Sequence, residues 1–283
     1  KFSNMAAPMS DVDTQDSGED WLDGLAQINP DPPKKRSVCS TCLRPTVGCW
    51  CPYLVKPPLD IKTTLVILQH PFEEKRCLRT APMLKHGIAE EKCLILKGKR
   101  FHPDRNKLLK EVVESPNTLL LYPTSTSVDI KDISIDHSSP TPYNLILLDG
   151  TWAQARGIFQ QNKFLHGIKQ VKLTDTGISE YVIRTQPEDG NLSTVETAAL
   201  AVSLLENNPD IKEKLISPLR ALCAFQLDHG ALVHHSKKYL LEKGLYFKQV
   251  PKTILRKNLQ EHNQKLEEEK SRNGDLQVAE EVS

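Results

Sequence analysis

The sequence predicts an α/β fold, a mostly parallel sheet with helices on both faces, and three observations carry that expectation. Six short apolar runs read as strands, five helix-like stretches lie between or after them, and the run Leu145 to Leu148 is saturated enough to be buried on both faces. Alternation of this kind favours a parallel sheet covered by helices.

Taken in order, residues 1–37 are rich in Asp, Ser, Pro and Gly and short of apolar groups, so they are expected as a disordered acidic arm. Residues 38–57 form a compact cysteine segment. Strands are then expected at "TTLVILQH", "EKCLILKG", "NTLLLYP", "YNLILLDG", "KQVKLT" and "EYVIRTQ", each bounded by Pro, Gly, Asn or Asp. Helices are expected over Glu73–His86, Asp104–Glu114, Ala153–Lys163, Thr194–Glu206 and Asp210–Phe225. Together these make one domain over 58–250. The mixed charges of 251–283 read as a solvated tail.

At 283 residues the chain holds one large domain with tails or two small ones. Lys and Arg number 37 against 36 Asp and Glu, so attraction to a polyanion must come from local patches. No apolar run approaches the ~20 residues that span a bilayer, and no membrane association is expected. Seven cysteines, an odd number, suit a reducing compartment better than a disulfide framework.

"VCSTCLRPTVGCWCPY" spaces Cys39 and Cys42 as C-x-x-C and Cys49 and Cys51 as C-x-C. Four thiolates gathered by tight turns suit tetrahedral Zn²⁺, and four protein ligands make such a site structural rather than catalytic. A knuckle of this kind can also present Arg44 and Trp50 to RNA.

Neither the G-x-G-x-x-G fingerprint nor the P-loop is present. Three strand ends are equipped instead: Tyr122 and Pro123; Asp149 to Trp152; and Ser193, Thr194 and Glu196 at a helix start, where capping by itself would explain the residues. In open α/β sheets, ligands bind at such carboxyl ends. A hydrolase triad of His70, Asp149 and Ser193 is disfavoured because no G-x-S-x-G elbow exists. "KGKRFHPDRNK" sets Lys97, Lys99, Arg100, Arg105 and Lys107 around Phe101 and His102, and a second basic stretch carries Lys237, Lys238, Lys243 and Lys248. Cations interleaved with an aromatic neutralise phosphates and stack bases.

Taken together, "CLRPTVGCWC", "QHPFEEKRCLRTAPML", "LYP", "LLDGTWAQAR" and "YVIRTQPEDGNLSTVETAA" resemble the DTW-domain family of tRNA-uridine aminocarboxypropyltransferases, over roughly Cys39 to Tyr246. The resemblance implies a core like that of the trefoil-knotted SPOUT methyltransferases. It also implies transfer of the 3-amino-3-carboxypropyl group of S-adenosylmethionine to N3 of a tRNA uridine, with the D-loop as the expected site, and release of 5′-methylthioadenosine.

Under that resemblance Asp149, Thr151 and Trp152 are the catalytic candidates, with Asp149 either a base for N3 or a positioning group. Leu121, Tyr122, Pro123, Leu192, Ser193, Thr194 and Glu196 are expected around the cofactor, with Arg184 forking onto its carboxylate. His70 and Glu73, matching the family's His-Pro-x-Glu, are expected near the substrate, and Lys97, Lys99, Arg100 and Arg105 on tRNA. Methyl transfer from the same cofactor and a non-catalytic zinc-containing RNA binder are the rival readings. The expected compartments are cytoplasm and nucleus, with "PPKKR" at 32–36 either a nuclear signal or a linker. No interface is legible, so the oligomeric state stays open.

Overall fold

The computed structural model describes residues 36–135, 142–188 and 190–246. The expected N-terminal arm up to residue 35 and the tail 251–283 lie outside the described residues, as does Lys248. Six strands, β1 Thr64–Gln69, β2 Cys93–Lys97, β3 Thr118–Leu121, β4 Val128–Asp129, β5 Asn144–Asp149 and β6 Lys169–Lys172, form one sheet in the order β2-β1-β5-β3-β6-β4. Every pairing is parallel. The helices are α1 Pro71–Glu74, α2 Ala81–Gly87, α3 Lys107–Glu114, α4 Trp152–Gln161, α5 Thr194–Leu205, α6 Asp210–Asp228 and α7 Lys237–Glu242.

The period-2 geometry of the central strands splits their side chains between two apolar layers. Leu65, Ile67, Leu145 and Leu147 pack on one face with residues of α2, α5 and α6. Val66, Leu68, Leu120 and Ile146 pack on the other with Leu109 and Val112 of α3 and Ile158 of α4. Each such side chain, fully buried, contributes roughly 1.5–3 kcal/mol. The helices therefore cover both faces, as the uninterrupted apolar runs required.

Two expectations need correction, and one strand was not expected. "EYVIRTQ" is not a strand: its backbone bonds to the segment before and into α7, with His234 N donating to Val182 O (2.7 Å) and Lys237 N to Gln186 O (2.8 Å). Its apolar residues Tyr181 and Ile183 are buried in the core layer that also holds Leu65, Ile67, Leu145 and Leu147, without joining the sheet. The helix expected over Glu73–His86 is two helices, α1 and α2, separated by Lys75–Thr80. Pro82 sits in the first turn of α2, where its missing N–H costs nothing, and it disfavours helical backbone just before it. The edge strand β4 has only two residues, too few for any periodicity to announce.

The cysteine segment is not a free knuckle. Cys42 and Trp50 are buried in the main core, Tyr53 meets Phe225 of α6 edge to face at 5.9 Å, and Arg44 ties the segment to the α1–α2 connection through Cys77 O (3.1 Å). Trp50 is thus unavailable to RNA. Arg44 is held by Gly48 O and Cys77 O as well.

Candidate active site

β1 and β5 end side by side, with Gln69 paired in register to Asp149. Gln69 Nε2 donates to Asp149 Oδ2 (2.8 Å), and Thr194 Oγ1 donates to Oδ1 (2.5 Å). Asp149 is 7 % exposed, and both oxygens of its carboxylate are engaged by neutral donors from different elements. The chain then turns through Gly150. A Cβ there would stand 2.9 Å from Cβ of Gln154 and 3.1 Å from its Oε1, so only glycine allows the approach. Thr151 caps α4 in a reciprocal box with Gln154, and this aims Trp152, half exposed, outward at the first helical position.

These residues line a cleft of about 690 Å³ at the carboxyl ends of the strands, within the size range of small-molecule sites. Leu121, Tyr122 and Pro123 from the end of β3 line it, as do Leu192, Ser193 and Thr194 at the start of α5, and Arg184. The structure thus brings together the three strand ends singled out from the sequence. Arg184 is exposed and has no ion pair among the described residues, although its charge acts on Glu73 and Tyr181. Three cations not singled out for this role, Arg79, Lys172 and Lys237, also line the cleft. Lys237 was visible only as part of a basic stretch, and Arg79 only as a member of "RCLRT".

Glu73 lines the same cleft and is 5 % exposed. Arg76 Nε lies 3.0 Å from its Oε1, yet the N–H is not directed along that line, and Oε1 has no hydrogen bond. Burial first, and the Asp149 carboxylate second, push the Glu73 carboxyl above the ordinary glutamate range; Arg76 and Arg184 offset part of this. Two acids in one cleft therefore differ in kind. One has both oxygens held by fixed neutral donors, and the other has a buried oxygen beside a guanidinium but without a hydrogen bond.

Other expected site residues are placed elsewhere. Glu196 does not line the cleft. Its carboxylate accepts from Ser179 Oγ, Glu180 N, Ser193 N and Ser193 Oγ at 2.6–3.2 Å, completing the α5 capping box and anchoring the loop before Tyr181. His70 is buried and caps α1, with Nδ1 accepting from Phe72 N (3.2 Å), and its backbone N–H donates to the backbone Asp149 O (2.8 Å). Burial, helped by the Lys99 charge, holds its imidazole below the ordinary range, in keeping with an accepting Nδ1. Lys97, Lys99, Arg100 and Arg105 lie outside the cleft near the end of β2, and Lys97 is paired with Glu74. Phe101, expected to stack a base, is buried, with its backbone N–H held by Asn162 Oδ1 (2.6 Å).

The ligand atoms of Cys39, Cys42, Cys49 and Cys51 all lie within 4.8 Å of one another. Cys39 and Cys51 sulfurs are 3.8 Å apart and Cys42 and Cys49 sulfurs 3.6 Å. A tetrahedron with Zn–S bonds of about 2.3 Å has edges of about 3.8 Å. The four-cysteine cluster is therefore compatible with a zinc site. The backbone of Cys42, then that of Thr41, holds the Cys39 thiol down at about 6, whereas burial pushes the Cys49 and Cys51 thiols up, so the geometry and not the titration of the four carries the zinc reading.

A parallel sheet whose strand ends open onto a mixed-charge cleft defines a ligand-binding α/β protein. The chain belongs to the DTW domain family, whose model matches residues 36–227. It is 49 % identical over 237 residues to tRNA-uridine aminocarboxypropyltransferase 2 of Drosophila melanogaster, covering 83 % of this chain and 93 % of that one. It is 44 % identical over 237 residues to the protein of the same name from Macaca fascicularis, covering 84 % and 79 % respectively. With tRNA-uridine aminocarboxypropyltransferase A of Arabidopsis thaliana the identity is 29 % over 224 residues, covering 68 % and 81 %. No solved structure matches the chain.

Proposed function

We propose that the protein is a tRNA-uridine aminocarboxypropyltransferase that uses S-adenosylmethionine to modify N3 of a uridine, with the D-loop as the site, and releases 5′-methylthioadenosine. The observation that carries this reading is the buried Asp149 on the wall of a 690 Å³ cleft, with Thr194 and Trp152 beside it. The cleft's residues suit the co-substrate. Arg184 offers a fork for its carboxylate, and the β3 end and α5 start offer backbone groups to an adenine. When bound there, S-adenosylmethionine supplies an electrophilic γ-carbon and a thioether leaving group.

Asp149 acts as a positioning group. Its two oxygens are engaged by Gln69 and Thr194, which it holds in place. Glu73 serves as the base, because a carboxyl raised by burial takes up a proton more readily than an ordinary glutamate. As N3 forms its bond to carbon and the carbon–sulfur bond breaks, Glu73 receives the N3 proton. Trp152 walls the cleft and orients the groups that meet there.

The cysteine cluster holds structural Zn²⁺ in this reading, and the family's trefoil-knotted core comes with the assignment. So do cytoplasm and nucleus, compartments where thiols stay reduced. The domain divisions at 37, 57 and 250 are part of the same proposal.

Incubation with tRNA and S-adenosylmethionine labelled separately on the methyl and carboxyl carbons tests the reaction. Carboxyl label alone in RNA is expected. Methyl label alone would make the protein a methyltransferase, and no label in RNA would make it a binder.

A further inference from the structure

Paired positions at the ends of β1 and β5 are followed by matching features. Three residues beyond Gln69 stands Phe72, and three residues beyond Asp149 stands Trp152, each in the first turn of the following helix. Both rings are open to solvent, 59 % and 50 % respectively, although the strands that lead to them are almost wholly buried. Trp152 lines the cleft and Phe72 does not, so Phe72 belongs to the outer rim of the same strand ends.

The surroundings of Phe72 indicate what covers it. Lys99 Nζ lies 5.8 Å from the ring centroid, and the His70 ring meets it edge to face at 5.2 Å. Lys97 is neutralised by Glu74, whereas Lys99 and Arg100 have no ion pair among the described residues. The backbone that carries the ring is held in place: α1 begins on the His70 cap, and the backbone of His70 is bonded to that of Asp149. An open aromatic ring beside uncompensated cations matches a nucleobase and its phosphate, since stacking is tolerant of base identity and cations neutralise the backbone. The charge beside the ring favours a polyanion over an apolar protein surface as its occupant.

We propose that Phe72 is a stacking platform for the nucleobase adjoining the target uridine, with Lys99 on its phosphate. This rests on the tRNA-modifying reading above and supplies the base contact that the burial of Phe101 removes from the basic stretch.

The test compares wild type, Phe72→Ala and Phe72→Tyr for tRNA affinity, S-adenosylmethionine affinity and thermal stability. A second RNA carries an abasic site next to the target uridine. Phe72→Ala is expected to weaken tRNA binding about ten-fold, the order of one lost base stack. Co-substrate affinity and melting temperature should hold, and Phe72→Tyr should bind like wild type. On the abasic RNA, wild type and Phe72→Ala should bind equally. Equal affinity of the two for intact tRNA overturns the platform, as does a deficit that persists undiminished on the abasic RNA. So does a change in oligomeric state as the sole effect, which would assign the ring to a second copy of the chain. A wild-type protein that labels no tRNA sinks the functional reading itself, a result distinct from an active enzyme indifferent to Phe72.

Discussion

Gln69 and Asp149 occupy matching positions at the ends of neighbouring strands, and their side chains are joined by a 2.8 Å hydrogen bond. With Thr194 on the other oxygen, the Asp149 carboxylate is the joint between β1, β5 and α5. Asp149→Asn places an amide where two donors converge, so one contact becomes repulsive. Activity should fall about 100-fold, the scale of a misplaced positioning group, while the pH profile of the residual activity keeps its wild-type shape. Steady-state kinetics across pH check this.

Glu73→Gln should behave differently. Loss of a general base costs about 10² to 10⁴ in rate, and the acid limb of the pH profile should vanish, because wild-type activity drops as pH falls through the raised carboxyl. Stability runs the opposite way. A folded-state carboxyl raised above the ordinary 4.5 stabilises the fold most at low pH, and that contribution is lost as pH rises from 4.5 through the folded value. The glutamine variant escapes that loss and should melt higher than wild type at pH 8, which calorimetry reads directly.

Arg184 has no ion pair among the described residues. Replacing it by Ala should raise KM for S-adenosylmethionine roughly ten-fold or more, given the strength of bidentate guanidinium–carboxylate pairs. Arg184→Lys should recover only part of this, because an ammonium cannot fork. Affinity for tRNA and thermal stability should stay at wild-type values.

Metal analysis should find one zinc per chain, lost on substituting any of Cys39, Cys42, Cys49 or Cys51 by Ser. Trp50, buried beside the cluster, gives the readout. Its fluorescence should shift to the red on chelation, as its packing against the core is released. An unchanged spectrum and melting temperature after complete chelation would count against a structural metal.

Gly150→Ala should cost roughly 1–2 kcal/mol, because the new methyl displaces Gln154 and opens the capping box with Thr151. Trp152 would move with the helix start, so kcat should fall more than stability alone explains. Chemical denaturation and kinetics on the same variant separate the two effects.

Much of this was legible from local sequence. The saturated runs of β1, β3 and β5 announced burial on both faces, and the abrupt stop at Asp149-Gly150 announced the strand end and the cleft. Ser193 with Glu196 announced a capping box, and capping is how Glu196 is used. What escaped depends on tertiary competition. Tyr181 and Ile183 have a strand's composition, yet their backbone is claimed by the segment leading into α7. Phe101 and Phe72 both adjoin charged residues in the sequence, and only packing against Asn162 and the second core layer decides which is buried. The contrast between Asp149 and Glu73 is set by donors that lie 45 and 80 residues away from Asp149.

That separation bears on how the chain matures. The ladder between β1 and β5 is non-local, and its closure must await synthesis of everything between them, which makes it a slow step in assembly. A slip of one residue in that ladder would turn the aspartate to the opposite face of the sheet. Competence to modify RNA therefore arises only in the fully registered molecule, and a nascent or truncated polypeptide ending before Asn144 carries no rudiment of it.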